Sequence, residues 1–299
     1  MRVRLALRPR VAKPRTGQPA LVVAGHRAQA SAVACGGCRL SSQCLPFSLD
    51  GRGVEILERL PQPTPLLEKG AVLHHRGSPF ENLYVVQFGA LKGVNAEQNG
   101  QECVARFYLP GEIVGLHAID QGRFNLGVVA LETTALCRIP YATFQTQAAQ
   151  NPSLTHWLLR RISAEIRKER EIRLILASGN AAQMLAHALI DLGERFARGG
   201  LSATRLRLPM TRCELGSHLG LTPETMSRLF RRLTRQRLVT ADRREVELLD
   251  TERLQALATG RIARRSSEPN GVMGSGVMGN GVMELSVPPP PLLCAANRT

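Results

Sequence analysis

Three cysteines crowd ten residues of the chain: Cys35-Gly36-Gly37-Cys38, then Cys44. Thiolates at this C-x2-C-x5-C spacing, on a backbone bent by two glycines, can converge on one soft metal centre. Three ligands do not close such a site, so a fourth must come from Cys103, Cys137, Cys213 or Cys294. The spacing alone does not separate an iron–sulfur cluster from zinc. Seven cysteines, an odd number with no secretory signal ahead of them, argue against a disulfide framework and for metal or redox chemistry.

A second chemical segment runs from Thr211 to Leu229. Leu215, Leu219, Leu221, Met226 and Leu229 supply the small shared core of a helix-turn-helix, and Gly220 supplies its turn. Thr222 suits the N-cap of the second helix and Pro223 its first position. Glu224, Ser227 and Arg228 then stand at i, i+3 and i+4, on the part of a recognition helix that enters the major groove. Arg228 can pair with guanine O6 and N7, and Glu224 can accept from the N4 amine of the partner cytosine. Arg212, Thr222, Thr225, Arg231 and Arg232 are the candidates for holding phosphates, with Arg235, Arg243 and Arg244 nearby.

The elements that position these groups follow from periodicity and punctuation. From Pro65 to Arg138 short apolar runs alternate with Gly-bearing turns, which predicts a β-barrel or roll. A helix is predicted from Asn151-Pro152 to about Ser178, ended by Gly179-Asn180. Within it Leu159, Ile162, Ile166, Glu169, Arg173 and Leu176 recur in alternating steps of three and four, a heptad seam that suits pairing with a second copy. Its charged middle makes that homodimer marginal, while Ile172 and Ile175 pack on the helix's own domain. Helical patterns continue over 181–197, 212–219 and 223–236, and two β-prone pieces at 238–240 and 245–248 form a wing. The predicted class is α+β: an N-terminal β-roll, a long dimerisation helix and a C-terminal winged helix-turn-helix. Its divisions are a disordered basic extension 1–30, a cysteine loop and roll 31–150, the helix 151–179, the DNA-binding domain 180–255 and a disordered tail 256–299.

Charge points the same way. Lys plus Arg number 39 against 24 Asp plus Glu, a net +15 over 299 residues, so polyanions are the expected partners. Aromatics make up only 4%, which disfavours single-strand binding by base stacking. No apolar run is long enough to span a membrane, and the expectation is a cytoplasmic protein. No Ser–His or His–carboxylate grouping suggests an enzyme, and His74-His75 reads as surface.

Taken together these residues resemble the FNR-type anaerobic regulators of the cyclic-AMP receptor superfamily. The likeness rests on the cysteine stretch at 35–47, Leu109-Pro110-Gly111-Glu112, Leu131-Glu132-Thr133, Cys137-Arg138-Ile139-Pro140 and Leu221-Thr222-Pro223-Glu224-Thr225-Met226-Ser227-Arg228. It implies a [4Fe–4S] cluster on Cys35, Cys38, Cys44 and Cys137 that promotes dimerisation and is lost in oxygen. Zinc, nitric oxide or peroxide at the same thiolates is the alternative input. It also implies that Glu224, Ser227 and Arg228 read a TTGAT-like half-site in a palindrome, and that RNA polymerase is a partner. Phe124 and Asn125 stand where cyclic-AMP receptors carry a phosphate-binding Arg-Ser pair, so a cyclic nucleotide is not expected.

Overall fold

The computed structural model describes residues 38, 40, 55–56, 59–96, 102–177 and 180–260. The predicted basic extension and the tail beyond residue 260 lie outside the described residues, as do Cys35 and Cys44.

Among the described residues the first half forms eight short strands: β1 (Gln62–Pro63), β2 (Val72–His74), β3 (Asn82–Phe88), β4 (Leu91–Ala96), β5 (Glu102–Tyr108), β6 (Ile113–Val114), β7 (Gly127–Ala130) and β8 (Ala135–Pro140). They pair antiparallel into two sheets, ordered β1-β8-β3-β6 and β2-β7-β4-β5. Alternation along β3 explains the layering, since successive side chains point to opposite faces. Tyr84 and Val86 face the roll interior, where they meet Leu91, Tyr108, Val114, Val128, Ala130 and Leu136. Leu83 and Val85 face outward with Ile139, under Phe144, Leu154 and Trp157 of two helices, α1 (Tyr141–Gln150) and α2 (Pro152–Ala177). Asn151 divides these helices: its Oδ1 accepts from Ser153 N at 3.0 Å and starts α2.

Residues 180–260 form the second part, the head. It contains α3 (Ala181–Arg198), β9 (Arg205–Arg207), α4 (Arg212–His218), α5 (Pro223–Arg235), β10 (Val239–Asp242), β11 (Glu245–Leu248) and α6 (Thr251–Ala258). The wing is a three-stranded sheet ordered β10-β11-β9. Asn180 caps α3 by accepting from Ala182 N at 3.0 Å and Gln183 N at 3.3 Å. The head and the roll share one buried cluster. Val104, Phe107, Leu109 and Leu131 from the roll join Leu189, Leu206, Phe230 and Leu233 from the head.

Two glycines shape the helix-turn-helix for different reasons. Gly220 sits at φ +65° with open space around its α-carbon, so only its backbone conformation matters. Gly216 is a matter of room, because a β-carbon there would lie 2.8 Å from the Leu221 carbonyl oxygen and 2.9 Å from Met226 Cγ. That carbonyl belongs to the backbone turn closed by Leu221 N donating to Gly216 O at 2.8 Å. Gly216→Ala is therefore expected to destabilise the protein by about 1–3 kcal/mol through overpacking, read as a lower urea midpoint.

Candidate nucleic-acid interface

The recognition helix α5 begins as its sequence demands. Thr222 Oγ1 accepts from Thr225 N at 3.2 Å, and Pro223 occupies the first turn. Met226, Leu229, Phe230 and Leu233 bury one side of the helix. This leaves Glu224 and Arg228 on the other side, with side chains 73% and 72% exposed. Arg228 Nη2 donates to Glu224 Oε1 at 2.6 Å, and Ser227 beside them is half-buried. An exposed i,i+4 pair of this kind adds little stability. Its chemical value is placement: a guanidinium and a carboxylate held side by side match the guanine acceptors and cytosine donor of one G·C pair.

The other arginines are not equivalent. Arg231, Arg232 and Arg235 are exposed along the same helix. Arg212 is half-buried, with its guanidinium carbon 4.6 Å from the Phe230 ring centre and Nη2 donating to the Ala241 carbonyl at 3.4 Å. The Thr222 and Thr225 hydroxyls bond each other at 2.9 Å. Past the helix, Arg237 takes φ +54°, so that Arg237 N reaches Thr234 O and Leu238 N reaches Leu233 O, each at 3.0 Å. This is a Schellman ending built without glycine. At the wing tip Arg243 has φ +45°, and Arg244 Nη1 donates to the Pro209 carbonyl at 3.1 Å.

The first helix of the pair, α4, carries a capping box that the sequence reading did not single out. Glu214 N donates to Thr211 Oγ1 at 3.1 Å, and Glu214 Oε2 accepts from Thr211 N at 2.8 Å. Its Oε1 also accepts from Lys92 Nζ of β4 at 3.0 Å. Thr211 and Glu214 stand in the S/T-x-x-E pattern that could have revealed the box.

Along α2 the predicted seam is partly open. Leu159, Ile166 and Arg173 are exposed and Ile162 is half-buried, while the Leu176 side chain lies outside the described residues. Glu169 lies 3.8 Å from Arg106 Nη1 of β5, an arginine that Glu165 also pairs. Its neutralising cation thus comes from a strand of its own chain. Ile172 and Ile175 turn inward and line a cavity with Met184, Leu215 and Leu219.

The family model for the Crp-like helix-turn-helix domain matches residues 183–257, and that for the cyclic nucleotide-binding domain matches residues 66–151. Transcriptional activator protein Anr of Pseudomonas protegens is 38% identical over 228 residues, 76% of this chain and 93% of that protein. The fumarate and nitrate reduction regulatory protein of Escherichia coli K12 is 32% identical over 227 residues, covering 76% and 91%. The chain belongs to the CRP/FNR family of transcription regulators. Among solved structures, FixK2 of Bradyrhizobium japonicum superposes on this CRP/FNR regulator with a TM-score of 0.60 at 25% identity, covering 66% of this chain and 96% of that one. Membership makes the protein a DNA-binding regulator and not an enzyme.

The metal centre expected of this CRP/FNR regulator is corrected. Among the described residues no group of three or more His, Cys, Asp or Glu side chains could hold a metal ion. Of the four expected ligands, Cys35 and Cys44 lie outside the described residues, which leaves Cys38 and Cys137. Cys137 is fixed in mid-strand, with its Cα paired to Val85 and Pro63. Its half-buried side chain packs against the apolar cluster of Leu83, Val85 and Ile139. A [4Fe–4S] cluster needs four thiolates turned toward one point. Among the described residues the donors do not fit the group, so no iron–sulfur, zinc or oxygen-sensing role is assigned to them. Cys213, another of the candidate fourth ligands, is disulfide-bonded.

Two further residues differ in place from their sequence reading or gain meaning from it. His74 is buried, stacked on Phe124 with ring centres 3.6 Å apart. Phe124 also meets Phe80 edge-on at 5.5 Å, so His74, Phe124 and Phe80 form one ring cluster. Among the described residues no helix is long and apolar enough to cross a membrane.

Proposed function

We propose that this chain is a transcriptional activator that binds a palindromic DNA site as a homodimer. Each recognition helix reads a G·C pair with Arg228 and Glu224, and Ser227 lies toward a neighbouring base. The observation that carries this reading is the exposed Glu224–Arg228 pair on the capped first turns of α5. Relatives named as transcriptional activators support the activator assignment. The exposed Leu159 and Ile166 on α2 support a seam for a second copy. Arg231 and Arg232, with Thr222, Thr225 and Arg212 behind them, are the proposed phosphate contacts. RNA polymerase is the partner that activation requires. A cyclic nucleotide is not among the proposed ligands, since Phe124 offers a ring and no charge to a phosphate. A DNA-bound role places the protein in the cytoplasm.

The test is fluorescence anisotropy with a duplex of two inverted TTGAT-type half-sites, against the same duplex with both G·C pairs replaced by A·T. The expected result is binding of the first at least about 10-fold tighter, weakening steeply with added salt as phosphate counterions are released. Equal affinity for the two duplexes would remove the proposed base reading.

A further inference from the structure

The Leu109-Pro110-Gly111-Glu112 turn takes no part in reading DNA, yet its carboxylate is the hub of a charge cluster joining roll, long helix and reading head. Arg195 Nε donates to Glu112 Oε1 at 2.8 Å and Nη2 donates to Oε2 at 2.7 Å, a two-point pair across 83 residues of sequence. The same guanidinium donates to the Phe107 carbonyl at 2.8 Å and to Asp191 Oδ2 at 3.2 Å. From α2, Lys168 Nζ lies 3.4 Å from Asp191 and 3.9 Å from Glu112. Burial pushes the Glu112 carboxyl up, but Arg195 and Lys168 outweigh it and hold the group at about 2. Arg195 is 7% exposed, so loss of Glu112 would leave its buried charge underpaired, with Asp191 and the Phe107 carbonyl as its remaining partners.

Three weaker contacts lie along the same boundary. Val104 N donates to Ser217 Oγ at 3.0 Å, Lys92 pairs with Glu214, and the His218 ring meets Phe107 edge-on at 5.2 Å. All of them tie β4, β5 or the turn after β5 to α3 or α4. None covers the exposed Glu224 and Arg228. The head is therefore held on the roll with its DNA-reading face open.

We propose that the Glu112–Arg195 pair, braced by Asp191 and Lys168, is a catch that fixes the orientation of the reading head on the roll and so sets the spacing of the two recognition helices in a dimer. This rests on the half-site reading above. A dimer reads its palindrome when the helices lie one helical turn of DNA apart. Heads released from the roll would bind as loosely tethered modules, at a lower effective concentration for the second half-site.

The experiment compares the full chain with its Arg195→Met variant on the palindromic duplex and on a duplex with one half-site. Hydrogen exchange is followed at the Val104 amide, which Ser217 shields, and at Leu233 in the head core. The catch predicts about a 100-fold loss on the palindrome, unchanged single-half-site affinity, and faster exchange at Val104 with Leu233 still protected. An unchanged palindrome affinity, equal losses on both duplexes, or unchanged Val104 protection overturns it. If Leu233 also loses protection, the variant has unfolded. Arg195→Lys, which keeps the buried positive charge but gives up the two-point pair, then decides. A smaller loss on the palindrome with faster Val104 exchange and Leu233 still protected is expected, and an unchanged palindrome affinity with unchanged Val104 protection overturns the catch. Failure of the unaltered chain to bind either duplex would refute the half-site reading, while Val104 exchange, which needs no DNA, would still judge the catch.

Discussion

Arg228→Ala is expected to lower affinity for the palindromic duplex by about 10- to 100-fold at each half-site and to abolish discrimination at the G·C pair, since a bidentate base contact contributes about 1–3 kcal/mol. The informative control is Arg231→Ala, three residues away in sequence and proposed to touch phosphate instead of base. A phosphate contact carries no base information, so its loss should weaken all duplexes alike and lower the salt dependence by about one counterion. Anisotropy titrations over matched and G·C-substituted duplexes at several salt concentrations separate the two. If Arg228→Ala weakened both duplexes equally, the arginine would be a phosphate ligand and the base-reading role of α5 would be wrong.

Mild acid is expected to destabilise the protein through two histidines, His74, which is buried, and His218, which is half-buried against Phe107. Burial, reinforced by His117, lowers His74 from 6.5 to about 4, and burial, reinforced by Arg195, lowers His218 to about 4. Between those values the unfolded chain takes up protons that the folded chain refuses, so stability falls as pH drops below 6.5. The slope is about 1.4 kcal/mol per pH unit for each group, which gives a loss of about 4 kcal/mol for the pair by pH 5. The Glu112 carboxyl acts in a different window. Its stabilisation is intact above its unfolded value of 4.5 and is lost only as pH falls toward about 2. Urea midpoints at pH 7 and pH 5 measure the histidine effect. His74→Phe keeps an aromatic ring against Phe124 and removes one titration, so it should recover about half of the loss. Midpoints that do not move between these pH values would contradict the shielding of both rings from water.

How much of this was legible in the sequence depended on whether the signal was local. The helix-turn-helix was, because a cap at Thr222, a proline at 223, a turn glycine at 220 and apolar residues at helical spacing all agree within one short segment. The long helix also was, closely matching α2 (Pro152–Ala177). Helix α1 was not: Phe144 is its one buried residue and Pro140 offers no side-chain cap, so neither periodicity nor an end signal marks it. The burial of His74 depends on Phe124, fifty residues on, and the Glu112–Arg195 pair on two segments that no local pattern connects. The cysteine spacing was the most conspicuous local signal and pointed to chemistry that the described structure does not assemble. Spacing reports which thiols are close along the chain, whereas a metal needs side-chain direction, and Cys137 is committed by its strand to an apolar neighbourhood.

The single buried cluster spanning roll and head has a consequence for how the molecule can be taken apart. Val104, Phe107, Leu109 and Leu131 are nearly inaccessible and share their cluster with helices from the other half. Severed between α2 and α3, each fragment would carry a raw oily face, and the two would clump or seek one another before behaving as independent modules. The two recognisable parts thus share apolar surface that each would expose if cut from the other.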